Sequence, residues 1–301
     1  MRYIGDVLLT TPAIRVLRQS YPEAHITMVV NKGTEDILRY NPHLDEVLAF
    51  ERGATWRLVR RLRERRYDVS LDFFNGDRAA WLAVGSGAKW RIGFVPERSW
   101  RRLLFHRLVP LPAGHMVEKC LRLVQEGLGL KASDRSLELP TGDEDDRYVA
   151  QLPLPSEPFA VVHLGARYPV NRWPQENWLR FVNELPVPVV FAGGDREALE
   201  TAWIMSRAKS SAMSLVGRTT LLQLAALLKR AALFVGHDSG PMHMAAAVGT
   251  PVVAFFGPQS DVEWWRPWGE GHVVLSTASE VESVVRLACE LIQQSRKRAP
   301  G

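Results

Sequence analysis

Asp6 is the first side chain in this sequence placed to move a proton. It lies in Gly5-Asp6-Val7-Leu8-Leu9-Thr10-Thr11-Pro12, where Thr11 and Pro12 suit the cap and first turn of a helix. A carboxylate just past a strand end is where a general base is needed, although a turn or capping role is the commoner use of such an aspartate. A second chemical stretch is Phe234-Val235-Gly236-His237-Asp238-Ser239-Gly240-Pro241-Met242-His243. Here a strand is expected to end at Gly236, Asp238 or Ser239 can cap a helix, Gly240 lets a ligand approach the backbone, and Pro241 fits the first helical turn. Free N–H groups at such a turn receive a phosphate, with Asp238 and His243 as hydrogen-bonding neighbours. A well-capped structural helix with His243 as a core histidine is an equal reading.

Two further turns carry charge. Val161-Val162-His163-Leu164-Gly165-Ala166-Arg167 runs on to Asn171-Arg172-Trp173-Pro174, and arginine near a glycine-bearing strand end can neutralise a diphosphate. Surface ion pairs for Arg167 and Arg172, and packing of Trp173 on Trp178, are the plainer alternatives. In Phe191-Ala192-Gly193-Gly194-Asp195-Arg196-Glu197, Gly194 lets a ligand near the backbone, and an acid behind the turn can take a ribose hydroxyl or cap a helix. The stretch lacks full dinucleotide-binding glycine spacing.

The elements that must position these groups follow from hydrophobic period. β-rich runs at 26–30, 47–50, 69–73 and 91–94 alternate with helical stretches, and the pattern repeats at 159–164, 187–192, 233–236 and 252–256. Strand, crossover helix, strand is the signature of parallel sheets covered on both faces. Between the halves, residues 140–158 hold Pro140, Pro153, Pro155 and Pro158 around a short acidic helix, which reads as a linker. The predicted fold class is α/β, with two doubly wound Rossmann-like domains facing across a cleft: residues 1–152, then residues 153–301. Ligands of such sheets bind beyond the carboxyl ends of the strands.

Composition narrows the function. With 46% hydrophobic and 24% charged residues the chain has the balance of a globular protein, and no apolar run approaches the roughly 20 residues that cross a bilayer. The start lacks a secretory pattern, and Cys120 and Cys289 lack metal-ligand spacing, so a reducing cytoplasm is expected. Of the net charge of +5, most lies in the first half, where 24 basic and 20 acidic side chains precede residue 153. One cluster is Arg52, Arg57, Arg60, Arg61, Arg63, Arg65 and Arg66, best read as the solvated face of a helix. The other sets Lys89, Arg91, Arg98, Arg101, Arg102 and Arg107 among Trp90, Phe94, Trp100 and Phe105, a mix suited to an anionic lipid surface, with Arg101 and Arg102 expected on an acidic acceptor. Nucleic acid ranks last, since no recognised binding motif accompanies the arginines. Asp143-Glu144-Asp145 has the spelling of a metal-diphosphate motif but sits in a polar linker, where a helix start explains it better.

Taken together, Gly5-Asp6-Val7-Leu8-Leu9-Thr10-Thr11-Pro12, Arg172-Trp173-Pro174, Asp238-Ser239-Gly240 with His243, and Phe256-Gly257-Pro258 resemble the ADP-heptose:lipopolysaccharide heptosyltransferase family, glycosyltransferase family 9, over nearly the whole chain. The resemblance implies a GT-B architecture. It also implies inverting transfer from ADP-L-glycero-D-manno-heptose without metal or cofactor, and a lipid A and inner-core acceptor at the cytoplasmic face of the inner membrane. It makes Asp6 the base and assigns Asp238, Ser239, Gly240 and His243 to the donor, with Glu197 or Glu200 on the adenosine ribose. Two departures stand out. Relatives place a lysine near the donor phosphates where this chain has Asn171, which is still expected among the donor contacts, so Arg167 or Arg172 is expected to supply the cation, and only Met1 to Ile4 precede the Gly-Asp turn, so the first strand is expected to be truncated. A non-catalytic nucleotide- or lipid-binding relative and a nucleotide-sugar epimerase of similar shape are the alternative readings.

Overall fold

The computed structural model describes residues 3–51, 53–94, 99–156 and 158–298, the last three as backbone only. Arg52, Arg98 and the side chains of the basic C-terminus therefore lie outside the description. The chain divides into two compact units, Met1–Leu137 and Glu138–Gly301.

The first unit runs α1 (Ile4–Leu8), α2 (Thr11–Ser20), β1 (Thr27–Asn31), β2 (Glu46–Phe50), α3 (Thr55–Arg65), β3 (Val69–Asp72), α4 (Asp77–Gly85), β4 (Trp90–Phe94), β5 (Arg107–Val109) and α5 (Met116–Leu128). All of its strand pairs are parallel, yet they form two pieces, β1-β2 and β3-β4-β5. Among the described residues no strand joins them. The strand expected ahead of the Gly-Asp turn has no counterpart among the described residues, where residues 4–8 are helical. α3 behaves as its pattern demands: Leu58 and Leu62 are buried with Leu48 and Phe50, while Arg60, Arg61 and Arg65 stay in solvent, paired with Glu64 or Glu46.

The second unit runs α6 (Asp143–Ala150), β6 (Ala160–His163), α7 (Gln175–Glu184), β7 (Val189–Phe191), α8 (Ala198–Met205), β8 (Ala212–Ser214), α9 (Leu221–Arg230), β9 (Leu233–His237), α10 (Gly240–Ala247), β10 (Val252–Phe256), α11 (Val262–Trp265), β11 (His272–Ser276) and α12 (Val281–Arg298). Its six strands form one parallel sheet ordered β11-β10-β9-β6-β7-β8. β6, β7, β9 and β10 are buried at every position, which explains their unbroken apolar sequence. The chain leaves β6 toward β7 and β8, then returns to lay β9 on the other side of β6, with Ala160 opposite Leu233 and His163 opposite Gly236. The order therefore reverses between β6 and β9, the place where open parallel sheets bind ligands.

The boundary falls earlier than the expected break after residue 152. α6 was read as part of a linker but belongs to the second unit, where the Tyr148 hydroxyl donates to the Arg218 carbonyl at 2.6 Å and Arg230 donates to the Val149 carbonyl at 3.3 Å. Asp143-Glu144-Asp145 opens this helix, and the Asp145 carboxylate accepts the Gly142 N–H at 3.1 Å, a capping role. Among the described residues no helix is long and apolar enough to cross a membrane.

Candidate active site

Four loops at the carboxyl ends of the second sheet carry most of the expected residues. The loop after β9 leads through Asp238 and Ser239 into α10. Ser239 is extended, with φ −161° and ψ 168°, and gives the helix no side-chain cap; its hydroxyl instead donates to the His237 carbonyl at 3.0 Å. Pro241 has no N–H to satisfy. Among the described residues, the N–H groups of Ser239 and Gly240 meet no protein acceptor. Bare amides at the positive end of a helix dipole are an anion site. His243, on the same helix, is 3% exposed with its ring against Trp265 at 6.4 Å, the packing of a core histidine.

The loop after β6 supplies the cations. Arg167 is exposed, lies over the Tyr168 ring at 4.9 Å, and is close enough to Asp238 to favour that carboxylate's charge. Arg172 lies 3.5 Å from the Glu200 carboxylate, and the Glu200 side chain is the more covered partner. Burial raises the Glu200 pKa, opposed by Arg172. The neighbouring Trp173 anchors this loop. It is 1% exposed, stacks on Phe255 at 4.5 Å, meets Trp178 edge-on at 5.0 Å, and donates its indole N–H to the Ser279 carbonyl at 3.1 Å. Arg172, next to it in the chain, is exposed.

Beneath the amides lie two buried imidazoles that sequence reading passed over. His237 accepts the Trp173 backbone N–H on Nε2 at 2.8 Å, which places its own proton on Nδ1. Burial, then the nearby His163, pushes its pKa down to about 3. His163 is 7% exposed, lies 3.5 Å through Nδ1 from the Ser239 hydroxyl, and is pushed down to about 4 by burial and then by Arg172. Both rings are neutral at physiological pH. The sequence showed histidines ending two strands, but only the β6–β9 pairing makes them neighbours.

The loop after β7 is closed by Glu197, whose carboxylate accepts the Gly194 N–H at 2.9 Å. A Cβ on Gly165 would lie 2.6 Å from that carboxylate, and one on Gly193 would lie 3.0 Å from it, so the two glycines make room for Glu197. Glu197 is thus a capping acid of its own turn, and Glu200 is the acid that reaches an arginine.

Asn171 stands differently from its expected place as a donor contact. It is 6% exposed and tied to the loop after β10: its Nδ2 donates to the Ser260 hydroxyl at 3.0 Å and its Oδ1 accepts the Gln259 N–H at 3.2 Å. Gly257 permits this approach, since a Cβ there would lie 2.5 Å from the Asn171 Cα. The residue is a clamp between loops, set by a side chain that both donates and accepts.

In the first unit, Asp6 is 8% exposed in the first turn of α1, where its carboxylate accepts the Tyr3 N–H at 3.1 Å. It follows no described strand, contrary to the turn expected at that point. Arg101 is committed inward, donating to the Asn75 carbonyl and the Ser99 hydroxyl and lying 3.4 Å from Asp77. Arg102 points into solvent. At the end of β3, Asp72 accepts the N–H groups of Phe74 and Asn75 at 3.0 and 3.1 Å, and burial pushes its pKa up to about 6.

A parallel sheet whose strand order reverses beside uncapped amides and arginines, in a chain whose other unit is also α/β with parallel strands, defines the class of two-unit α/β proteins. The chain belongs to glycosyltransferase family 9 (heptosyltransferase), whose family pattern matches residues 55–291, and it is a glycosyltransferase. It is 30% identical to lipopolysaccharide heptosyltransferase 3 of Escherichia coli (strain K12), over 91% of this chain and 85% of that protein. In fold it is similar to a glycosyl transferase family 9 structure from Veillonella parvula, with a TM-score of 0.87 and 23% identity over 97% of this chain and 95% of that one. It is likewise similar to the Escherichia coli ADP-heptose LPS heptosyltransferase II structure, with a TM-score of 0.84 and 24% identity over 98% of each chain. The α/β, GT-B class expected from the sequence is the fold observed.

Proposed function

We propose that this enzyme transfers a heptose from ADP-L-glycero-D-manno-heptose to the anionic inner core of lipopolysaccharide, by a single inverting displacement without metal or cofactor, at the cytoplasmic face of the inner membrane. The observation that carries the donor half is the pair of uncapped amides at Ser239 and Gly240, flanked by Arg167 and Arg172. Asp6 takes the proton of an acceptor hydroxyl, and that oxygen forms a bond to the heptose anomeric carbon. The bond from that carbon to the β-phosphate oxygen breaks with its electron pair leaving on ADP. The charge gathering on the diphosphate is met by the amides, the helix dipole and the arginines. Asp238, close behind, accepts hydrogen bonds from donor hydroxyls, and Glu200 or Glu197 lies on the ribose side. Arg102, exposed beside Trp100 and Leu103, is the better placed of the two expected contacts with acceptor phosphates.

The test is to incubate the full chain with ADP-heptose and a panel of truncated lipopolysaccharide cores, and to read the product mass and anomeric configuration with and without a chelator. A gain of one heptose, of inverted configuration and indifferent to the chelator, is expected. No mass gain on any core with ADP still bound would reduce the protein to a binding relative, and conversion of donor alone would make it an epimerase.

A further inference from the structure

The turn that carries β3 into α4 contains two acceptor oxygens that the protein itself leaves unused. Asp72, 5% exposed at the last position of β3, accepts the Phe74 and Asn75 N–H groups on Oδ1 at 3.0 and 3.1 Å. Its Oδ2 is buried and meets no hydrogen-bond donor among the described residues. The Oδ1 of Asn75, three residues on in the same turn, is buried and equally without a donor. Native interiors leave few such groups unpaired. The turn also presents donors. α4 opens at Gly76 with no side-chain cap, and the N–H groups of Asp77, Arg78 and Ala79 meet no acceptor among the described residues. Space is open beside them, since a Cβ on Gly76 would have no atom within 4 Å. Asn75 and Gly76 are half-buried, so the turn reaches the surface. Its shape is held by Asn75, at φ 53°, and by Arg101, which donates to the Asn75 carbonyl and lies 3.4 Å from Asp77.

Acceptors and donors in one turn select the ligand. A phosphate would meet the amides but be repelled by Asp72, and a cation would meet the oxygens but face the positive end of the helix dipole. Neighbouring hydroxyls of a sugar satisfy both sets, because each hydroxyl donates one hydrogen bond and accepts others. We propose that the turn over residues 72–78 is a sugar-binding subsite, in which Asp72 Oδ2 and Asn75 Oδ1 accept from two hydroxyls of a glycan and the first amides of α4 donate to them. It lies at the carboxyl end of a parallel strand, where such units take ligands. It belongs to the first unit, whereas the amides and arginines assigned to the donor belong to the second. In the proposed transfer this sugar is part of the acceptor, and only that name rests on the transfer reading.

The probe is a deacylated and dephosphorylated inner-core oligosaccharide, which offers hydroxyls without phosphate, titrated calorimetrically into the full chain. Wild type should bind it. Asp72→Asn keeps an acceptor for the turn's own N–H groups but sets an amide donor in place of Oδ2, and Asn75→Gly keeps the left-handed backbone while removing Oδ1. Each should weaken oligosaccharide binding roughly tenfold or more, with circular dichroism and ADP affinity as in wild type. Asn75→Asp, which keeps an acceptor and tolerates that backbone, should retain binding. In the transfer assay Asp72→Asn and Asn75→Gly should raise the acceptor KM with kcat held, the mark of lost binding rather than lost chemistry. Unchanged oligosaccharide affinity in both folded variants overturns the proposal, as does a wild type that does not bind the probe. Displacement of the probe by inorganic phosphate would make the turn an anion site and overturns it too. If wild type transfers no heptose yet binds the oligosaccharide through these two residues, the transfer reading has failed and the sugar subsite has not.

Discussion

The two units end their parallel strands in different chemistry. At the carboxyl ends of β6 and β9 the buried titratable groups are His163 and His237, both held neutral, and what remains charged nearby includes Arg167 and Arg172 above bare amides. At the end of β3 the buried group is a carboxylate, Asp72, and the candidate base Asp6 sits in the first turn of α1. The second unit's strand ends thus combine bare amides and arginines with one partly buried carboxylate, Asp238, whereas the first unit contributes the buried carboxylates Asp72 and Asp6. In the proposed transfer, amides and arginines would meet a departing diphosphate and a carboxylate would take the proton of an acceptor hydroxyl.

The strongest way to break the comparison is Asp6→Asn. An asparagine still accepts the Tyr3 N–H, so α1 should stay capped, while turnover falls by about 10²–10⁴, the scale of a lost general base. ADP affinity, measured by calorimetry on the same protein, should not change. Weaker ADP binding with modest turnover loss would put Asp6 on the donor side and erase the distinction between the units.

A middle-sized effect sharpens it. Asp72 has a folded pKa of about 6 against a usual 3.8, so the folded state holds a proton through that window and the cost of burying the charge is complete only above it. Asp72→Asn carries no charge to bury. Its stability relative to wild type should therefore rise between pH 4 and pH 8 by on the order of 2–3 kcal/mol, read by denaturant unfolding at each pH. A pH-independent difference would mean that Asp72 is as easily ionised as a surface acid.

The smallest effect belongs to α3. Arg60 and Glu64 form an exposed i,i+4 pair, with side chains 75% and 61% accessible, and such pairs contribute little. Arg60→Gln should leave the unfolding midpoint and ADP affinity indistinguishable from wild type, which would keep the first basic cluster a solvated face.

What sequence could foresee divides along the same line. The buried strands of the second unit were plain because burial on both faces demands continuous apolar residues: 252–256 was read with its observed limits, and 233–236 missed only His237. β5, β8 and β11 went unread, since their residues are partly exposed, three or five long, and mixed in polarity. α1 was hidden because five residues are too few for a helical period, and its start depends on one carboxylate reaching back to Tyr3. The candidate site was legible as separate turns. Asn171 illustrates the limit: spacing placed it before Arg-Trp-Pro, but only the adjacency of the loops after β6 and β10 makes its amide a clamp rather than a ligand contact.

The account depends most on backbone amides at α10 receiving the diphosphate, and Gly240→Pro addresses them alone. Proline is tolerated at the first residue of a helix but has no N–H to offer. With the fold verified by circular dichroism, calorimetry with ADP should show affinity reduced roughly 10- to 100-fold, the loss of one hydrogen bond to a charged group. ADP binding as tight as wild type in a folded Gly240→Pro protein would contradict it.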